Sequence, residues 1–223
     1  MKTTVEIACC NWISCVHAQE NGADRIELFE NLLEGGCTPS YGLLKQSTEL
    51  KLPVYAMIRP RAGDFCYSPA EFETMKADIA VCKNLGLKGI VFGILDGYGN
   101  IDVKRCSELL RLWDGPATFH RAFDQTSNPF EATETLIELG FERILSSGQK
   151  ENVQLGLDLL KQLIDSYSGS ISIMPGCGVT ANNGRDVLQK TGAKEIHATC
   201  KTQSKQGFWY SDPQEIRRLT QSI

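Results

Sequence analysis

The sequence predicts one α/β domain, a single (β/α)8 TIM barrel spanning residues 1–223, and three observations carry that expectation. Eight short apolar segments alternate with helix-patterned segments. Their starts recur about every 27 residues, enough for one strand, one helix and two short loops. A chain of 223 residues is too short for two average domains and suits one barrel near the lower end of its size range. An open doubly wound sheet is the competing architecture.

The strands are expected at residues 3–9, 25–29, 54–60, 89–95, 117–123, 143–147, 171–176 and 195–200. Most are Val/Ile-rich runs, as strands covered on both faces should be. The helix signals fall between them. In residues 68–86, Ser68 can cap the N-terminus, Pro69 suits the first turn, Glu71 completes a capping box and Gly86 ends the helix. Residues 128–140 repeat the grammar with Asn128, Pro129 and Gly140. Residues 180–192 open on Thr180 and stop at Gly192, and a last helix over 211–222 is capped by Ser211 or Asp212. His17 falls on the first helix, at an expected surface position.

A formal net charge of −4 argues against a broad nucleic-acid or anionic-membrane surface. It leaves room for a small anionic ligand. No apolar run reaches the roughly 20 residues that cross a bilayer, and the N-terminus lacks the features of a signal peptide. The nine cysteines show no CxxC or zinc spacing. They read as small buried hydrophobes in a reducing, cytoplasmic compartment.

Strand alternation then places the polar groups. Val5 and Ile7 flank Glu6, Ile26 and Leu28 flank Glu27, and Ile196 and Ala198 flank His197. Phe119 falls on the face opposite His120. If the apolar residues face the helices, the charged ones face the lumen, where Glu6, Glu27, Arg59, His120 and His197 can pair. Barrel interiors are normally filled with Val, Ile and Leu, so this polarity favours a site over an ionic plug. Glu6 or Glu27 would serve as general base and His120 as general acid, with His197 beside them.

Around this ring, Arg59 and Arg61 could clamp an anion, or Asp64 could pair with them and order the loop. Arg121, Asp124 and Ser147 line or brace the rim. The stretch MPGCGVTANNG (174–184) formally contains a GxGxxA pattern, but it follows the seventh strand, so no nucleotide cofactor is expected. Gly176 and Gly178 there mark either an anion-attracting turn before the helix at Thr180 or a plain tight turn. The segment GILDGYGNID (93–102) reads as a turn, since it lacks calcium-loop spacing.

Taken in order, VEIACC, NGADRIELFENLLEGGCTPSYG, IRPRAGDFCYS, VFGILDGYGNID, TFHRAFD, ILSSGQ and MPGCGVT resemble the motifs of the CutC family, over nearly the whole chain to about residue 200. The resemblance implies a cytoplasmic TIM barrel named for copper homeostasis, a pocket at the barrel end and association into homodimers. It also implies copper(I), which prefers thiolates. Family members commonly carry cysteines where this chain has Ala8 and Phe29, so the candidate metal ligands become the neighbouring Cys9, Cys10 and Cys37.

Overall fold

The computed structural model describes residues 3–223. Eight parallel strands, β1 (Thr4–Cys9), β2 (Arg25–Leu28), β3 (Val54–Met57), β4 (Gly89–Phe92), β5 (Ala117–Phe119), β6 (Arg143–Ser146), β7 (Ser172–Pro175) and β8 (Glu195–Ala198), lie in the order β7-β6-β5-β4-β3-β2-β1-β8. The helices α1 (Trp12–Glu20), α2 (Tyr41–Ser47), α3 (Pro69–Asn84), α4 (Val103–Leu112), α5 (Pro129–Leu139), α6 (Leu157–Tyr167), α7 (Gly184–Thr191) and α8 (Pro213–Ser222) follow the strands in turn. This is the expected (β/α)8 barrel. A small hairpin, β9 (Lys201–Gln203) with β10 (Trp209–Ser211), is inserted after β8. Among the described residues no backbone ladder joins β7 to β8, so the barrel carries one seam.

Every strand but β1 ends one or more residues earlier than expected. After β5 the chain turns into a 3-10 segment, Arg121–Gln125, in which the His120 side chain accepts the Ala122 N–H. The helix signals hold at α3, where Ser68 and Glu71 form the reciprocal capping box, and at α5, where Asn128 caps the start and Gly140 takes the left-handed conformation. Helix α7 starts four residues later than expected. Thr180 does not cap it; its N–H donates to Asn183 Oδ1 within the preceding turn. Asp212 caps α8. Asp96 accepts from the amides of Tyr98 and Asn100, a plain turn.

Two apolar clusters record the two faces of the strands. Val5, Ile7, Ile26, Leu28, Phe92, Phe119 and Ile196 pack outward against the helices. Ala8, Phe29, Tyr55, Met57 and Val91 form a small cluster of their own, which alternation assigns to the inward face. Most apolar burial therefore lies between barrel and helices, leaving the lumen to polar groups. No helix among the described residues is long and apolar enough to cross a membrane.

Candidate active site in the barrel mouth

The lumen is built in storeys. At the bottom, Arg25 and Arg143 both reach Glu195, which also accepts from Ser172 Oγ. Both guanidinium groups lie over the Tyr55 ring, at 5.0 and 5.6 Å. Arg143 further bonds Thr118 Oγ1 at 3.2 Å. This layer is a satisfied ionic plug, the structural alternative to a site. Arg25 and Glu195 stand two residues before Glu27 and His197, on the same inward parity, and Arg143 is in register with Thr118 and Ser172.

The middle storey joins the plug to the cavity. Glu6 is fully sequestered: one oxygen accepts from Arg25 Nε and the other lies 2.7 Å from His197 Nδ1. Burial alone would raise the Glu6 pKa, but Arg25 and then His197 outweigh it and hold the carboxyl well below the usual range. An ionised Glu6 fixes a proton on His197 Nδ1. Nε2 then faces Glu27 Oε2 at 3.7 Å, beyond a direct hydrogen bond. Burial pushes Glu27 up to about 7, against the pull of His197. Burial lowers His197, yet Glu27 and Glu6 prevail and the net shift is upward.

Above this storey opens a cavity of about 810 Å³. Glu27, Arg59, His120, Arg121, His197 and Gly178 are among the expected site residues that line it. Three of these residues each carry a buried polar atom without a hydrogen-bond partner: Glu27 Oε1, Arg59 Nε and His120 Nε2. Arg59 is clamped by the carbonyls of Glu34, Gly36 and Gly63. Only 5% exposed, it has no carboxylate within ion-pair distance among the described residues, which is unusual for a buried cation. The Phe65 ring carries the Arg59 guanidinium at 5.0 Å and the His120 imidazole at 4.8 Å.

His120 owes its orientation to two local features. Its Nδ1 accepts the Ala122 N–H at 3.1 Å, which leaves the proton on Nε2. Gly93 leaves space for the ring, because a Cβ there would fall 2.7 Å from Nδ1. Burial first, and then the charge of Arg59, pull the His120 pKa down to about 3. The imidazole is therefore a neutral N–H donor near neutral pH, and the general-acid role expected for it gives way to hydrogen-bond donation.

Several expected site residues stand elsewhere. Glu6 lies beneath the cavity, its oxygens already occupied, and Glu27 is the one of the two carboxylates that lines it. Arg61 turns away from the cavity to Glu71 and Asp64, at 2.5 and 2.9 Å, and the two-arginine clamp does not form. Asp64 orders that loop. Asp124 braces the end of β6, accepting from Arg121, Ser146, Ser147 and Gln149. Ser147 belongs to that brace. Gly176 is a packing position, where a Cβ would meet Leu145 at 2.5 Å. The amides of Thr180 and Ala181, expected to attract an anion, are spent on Asn183 and Glu215. His17 is half-buried, with Nδ1 2.8 Å from the Ser211 carbonyl.

The thiols expected to hold copper(I) do not converge. Cys9 packs among the outward, helix-facing residues with its thiol on the Ile7 carbonyl, while Cys10 donates to the Trp209 carbonyl. Cys37 bridges Glu30. Among the described residues the one group with metal-ligand spacing is Glu6, Glu27 and His197, within 4.8 Å of one another. That oxygen and nitrogen set is mismatched to copper(I). Six of the nine cysteines are buried and all are unpaired. Cys177 and Cys200 do line the cavity, each with a positive φ, 69° and 49°, a strained conformation for a non-glycine residue. The sequence offered no signal for that.

Comparison with known proteins sets this geometry in a lineage. The chain is 49% identical over 199 residues to a mouse protein named copper homeostasis protein cutC homolog, covering 87% of this chain and 72% of the relative. It is 48% identical over 200 residues to a family protein CutC of Photorhabdus laumondii, covering 88% and 79%. A copper homeostasis protein CutC structure from Streptococcus agalactiae superposes with a TM-score of 0.85 at 34% identity, over 88% of this chain and 98% of that one. Phosphoribosylanthranilate isomerase from Pyrococcus furiosus, at 13% identity, TM-score 0.65 and coverage of 99% and 98%, shares the fold alone. The CutC family model matches residues 3–202, and the chain belongs to the CutC family.

Proposed function

We propose that the barrel mouth binds a small anionic metabolite and moves a proton on it. One observation carries the reading: Arg59 is buried without a carboxylate partner, on the same cavity as the unpartnered atoms of His120 and Glu27. Buried polar atoms left open are costly unless something else completes them. In this reading the Arg59 guanidinium, with two of its five N–H groups unspent, holds the anion. The neutral His120 Nε2–H donates to an oxygen on which charge develops. Glu27, poised near neutrality, takes up or returns the proton. His197, oriented by Glu6, is a positioning residue that tunes Glu27. The test is a metabolite-library screen by ligand-observed NMR on the wild type, His120→Ala and Arg59→Gln. Compounds that bind only the wild type are expected; a library whose binding ignores both substitutions would refute the reading.

A second reading, copper(I) binding, is favoured by the names of the relatives. Copper would then be cargo, held through some of Cys9, Cys10 and Cys37 after rearrangement. Nine free thiols suit a reducing cytoplasm. Anaerobic copper(I) titration against a strong chelator tests it, and unchanged affinity after all three become serine would exclude those ligands. The homodimer implied by the family resemblance is tested by light scattering on the same preparation.

A further inference from the structure

The loop between β2 and α2 stands at the mouth, with Leu32 and Gly35 on the cavity lining. Its base and its tip are held in different ways. At the base, the backbones of Glu30 and Cys37 exchange two hydrogen bonds. Thr38 exchanges two more with Arg59. At the tip, the N–H groups of Glu34, Gly35 and Gly36 all donate within the loop. Among the described residues, Asn31 to Gly36 have only two hydrogen bonds to the rest of the molecule. Arg59 Nη1 donates both, to the carbonyls of Glu34 and Gly36 at 3.0 and 2.7 Å. Leu33, Glu34 and Gly35 are exposed. Leu32 turns inward and packs on the apolar cluster of the lumen. The ends of the tip are built to pivot. Asn31, Gly35 and Gly36 have positive φ, 58°, 81° and 94°, and the glycines have no side chain to resist a change of backbone angle.

The tip lies on the Arg59 guanidinium. A Cβ on Gly35 would fall 3.4 Å from Nη1. Nη2 donates to the Gly63 carbonyl in the loop after β3, the Phe65 ring backs the group, and Nε is shut off from solvent. The carbonyl pair of the tip therefore satisfies Nη1 as two oxygens of an oxyanion would. A ligand that takes Nη1 and a tip that stays down are alternatives on one nitrogen. Lifting the tip breaks two hydrogen bonds and the packing of one leucine, and it returns both Nη1 N–H groups.

We propose that residues 31–36 are a lid, that Arg59 is its latch, and that lifting the lid bares Arg59 Nη1 to the cavity. The ligand this admits is the anion of the reading above, on which that last step rests. The experiment uses the full chain and two variants. Leu32→Ala removes the apolar hold of the tip. Gly36→Ala places a methyl 3.1 Å from Phe29 at a φ that alanine resists. Leu155→Ala, exposed on the loop after β6, is the control. Solvent exchange of the Arg59 Nη1 protons is read by ¹⁵N-edited NMR, and cleavage after Glu34 by a glutamyl endopeptidase. Both should be slow in the wild type, about ten-fold faster in either variant and unchanged in Leu155→Ala. Wild-type rates in both variants overturn the lid. Inorganic phosphate is the anion probe, titrated by calorimetry. Apparent affinity scales with the open fraction, so both variants should bind it about five- to ten-fold more tightly than the wild type. Equal binding by all three chains overturns the gating and keeps the anion site. Phosphate bound by none, with Nη1 exchange still quickened, keeps the lid and overturns the anion reading.

Discussion

Glu6 and Glu27 are both inward-facing buried carboxylates, yet replacing each by glutamine should change stability in opposite directions. In Glu6→Gln, the acceptor of Arg25 Nε and of His197 Nδ1 loses its charge and one acceptor oxygen. Removing one partner of a buried ion pair costs about 3–5 kcal/mol. Arg25 keeps Glu195, so the lower end, about 3 kcal/mol, applies. For a chain of this size that is a fall in Tm of about 6–12 °C. Glu27 differs because Oε1 has no partner. Its pKa is raised from the ordinary 4.5 to about 7, so the folded state holds the proton more tightly than the unfolded one. The resulting stabilisation is complete below pH 4.5, fades as pH rises and is gone above about pH 7. At about 1.4 kcal/mol for each pH unit between the two values, the swing is about 3 kcal/mol. Glutamine abolishes it, at the cost of the attraction to His197. Thermal and urea unfolding at pH 5 and pH 8 separate the cases. Glu6→Gln should be destabilised at both, whereas Glu27→Gln should gain on the wild type between them and equal or exceed it at pH 8. Equal destabilisation of the two variants at pH 8 would refute the division into an ionised brace and an open acid.

Other expectations concern the mouth. His120 should stay a neutral Nε2–H tautomer from pH 8 down to pH 5, since burial and Arg59 hold its pKa at about 3; a ¹⁵N titration with a midpoint near the ordinary 6.5 would contradict this. Gly93→Ala puts a methyl 2.7 Å from His120 Nδ1, so it should cost about 1–3 kcal/mol, shift the Nε2 signal and abolish ligand binding. A wild-type spectrum in that variant would count against the account of His120. Arg61→Ala removes pairs with Asp64 and Glu71 on a partly exposed loop and should change unfolding free energy by about 1 kcal/mol or less.

The barrel was legible in the sequence because each βα unit announces itself locally: Ser68 with Glu71, Asn128 with Pro129, and glycines at the helix ends. Alternation was equally legible where regular strand persists, which is why Glu6, Glu27 and His197 fall on the inward face as expected. It failed past the strand ends. Arg59 and Arg61 share a parity, but β3 stops at Met57, and the loop sends one arginine into the cavity and the other out to Glu71. The Arg25–Glu195–Arg143 plug was not seen because its partners are up to 170 residues apart and appear only when the barrel closes. The state of the amides at Thr180 and Ala181 was similarly hidden, since one depends on Glu215, which is 34 residues away.

The seam between β7 and β8 has a dynamic consequence. Seven strand pairs are joined by backbone ladders. At the eighth, Glu195 of β8 is tied to Ser172 of β7 and to Arg143 of β6 by side chains. Amide protons along the facing edges of these two strands lack cross-strand acceptors and should exchange with solvent faster than those of the other strands. Cys177–Thr180 and Ala198–Thr202, which line the cavity, continue from the two sides of this line. The breathing mode that costs the fewest backbone hydrogen bonds is therefore one that widens the mouth of the cavity.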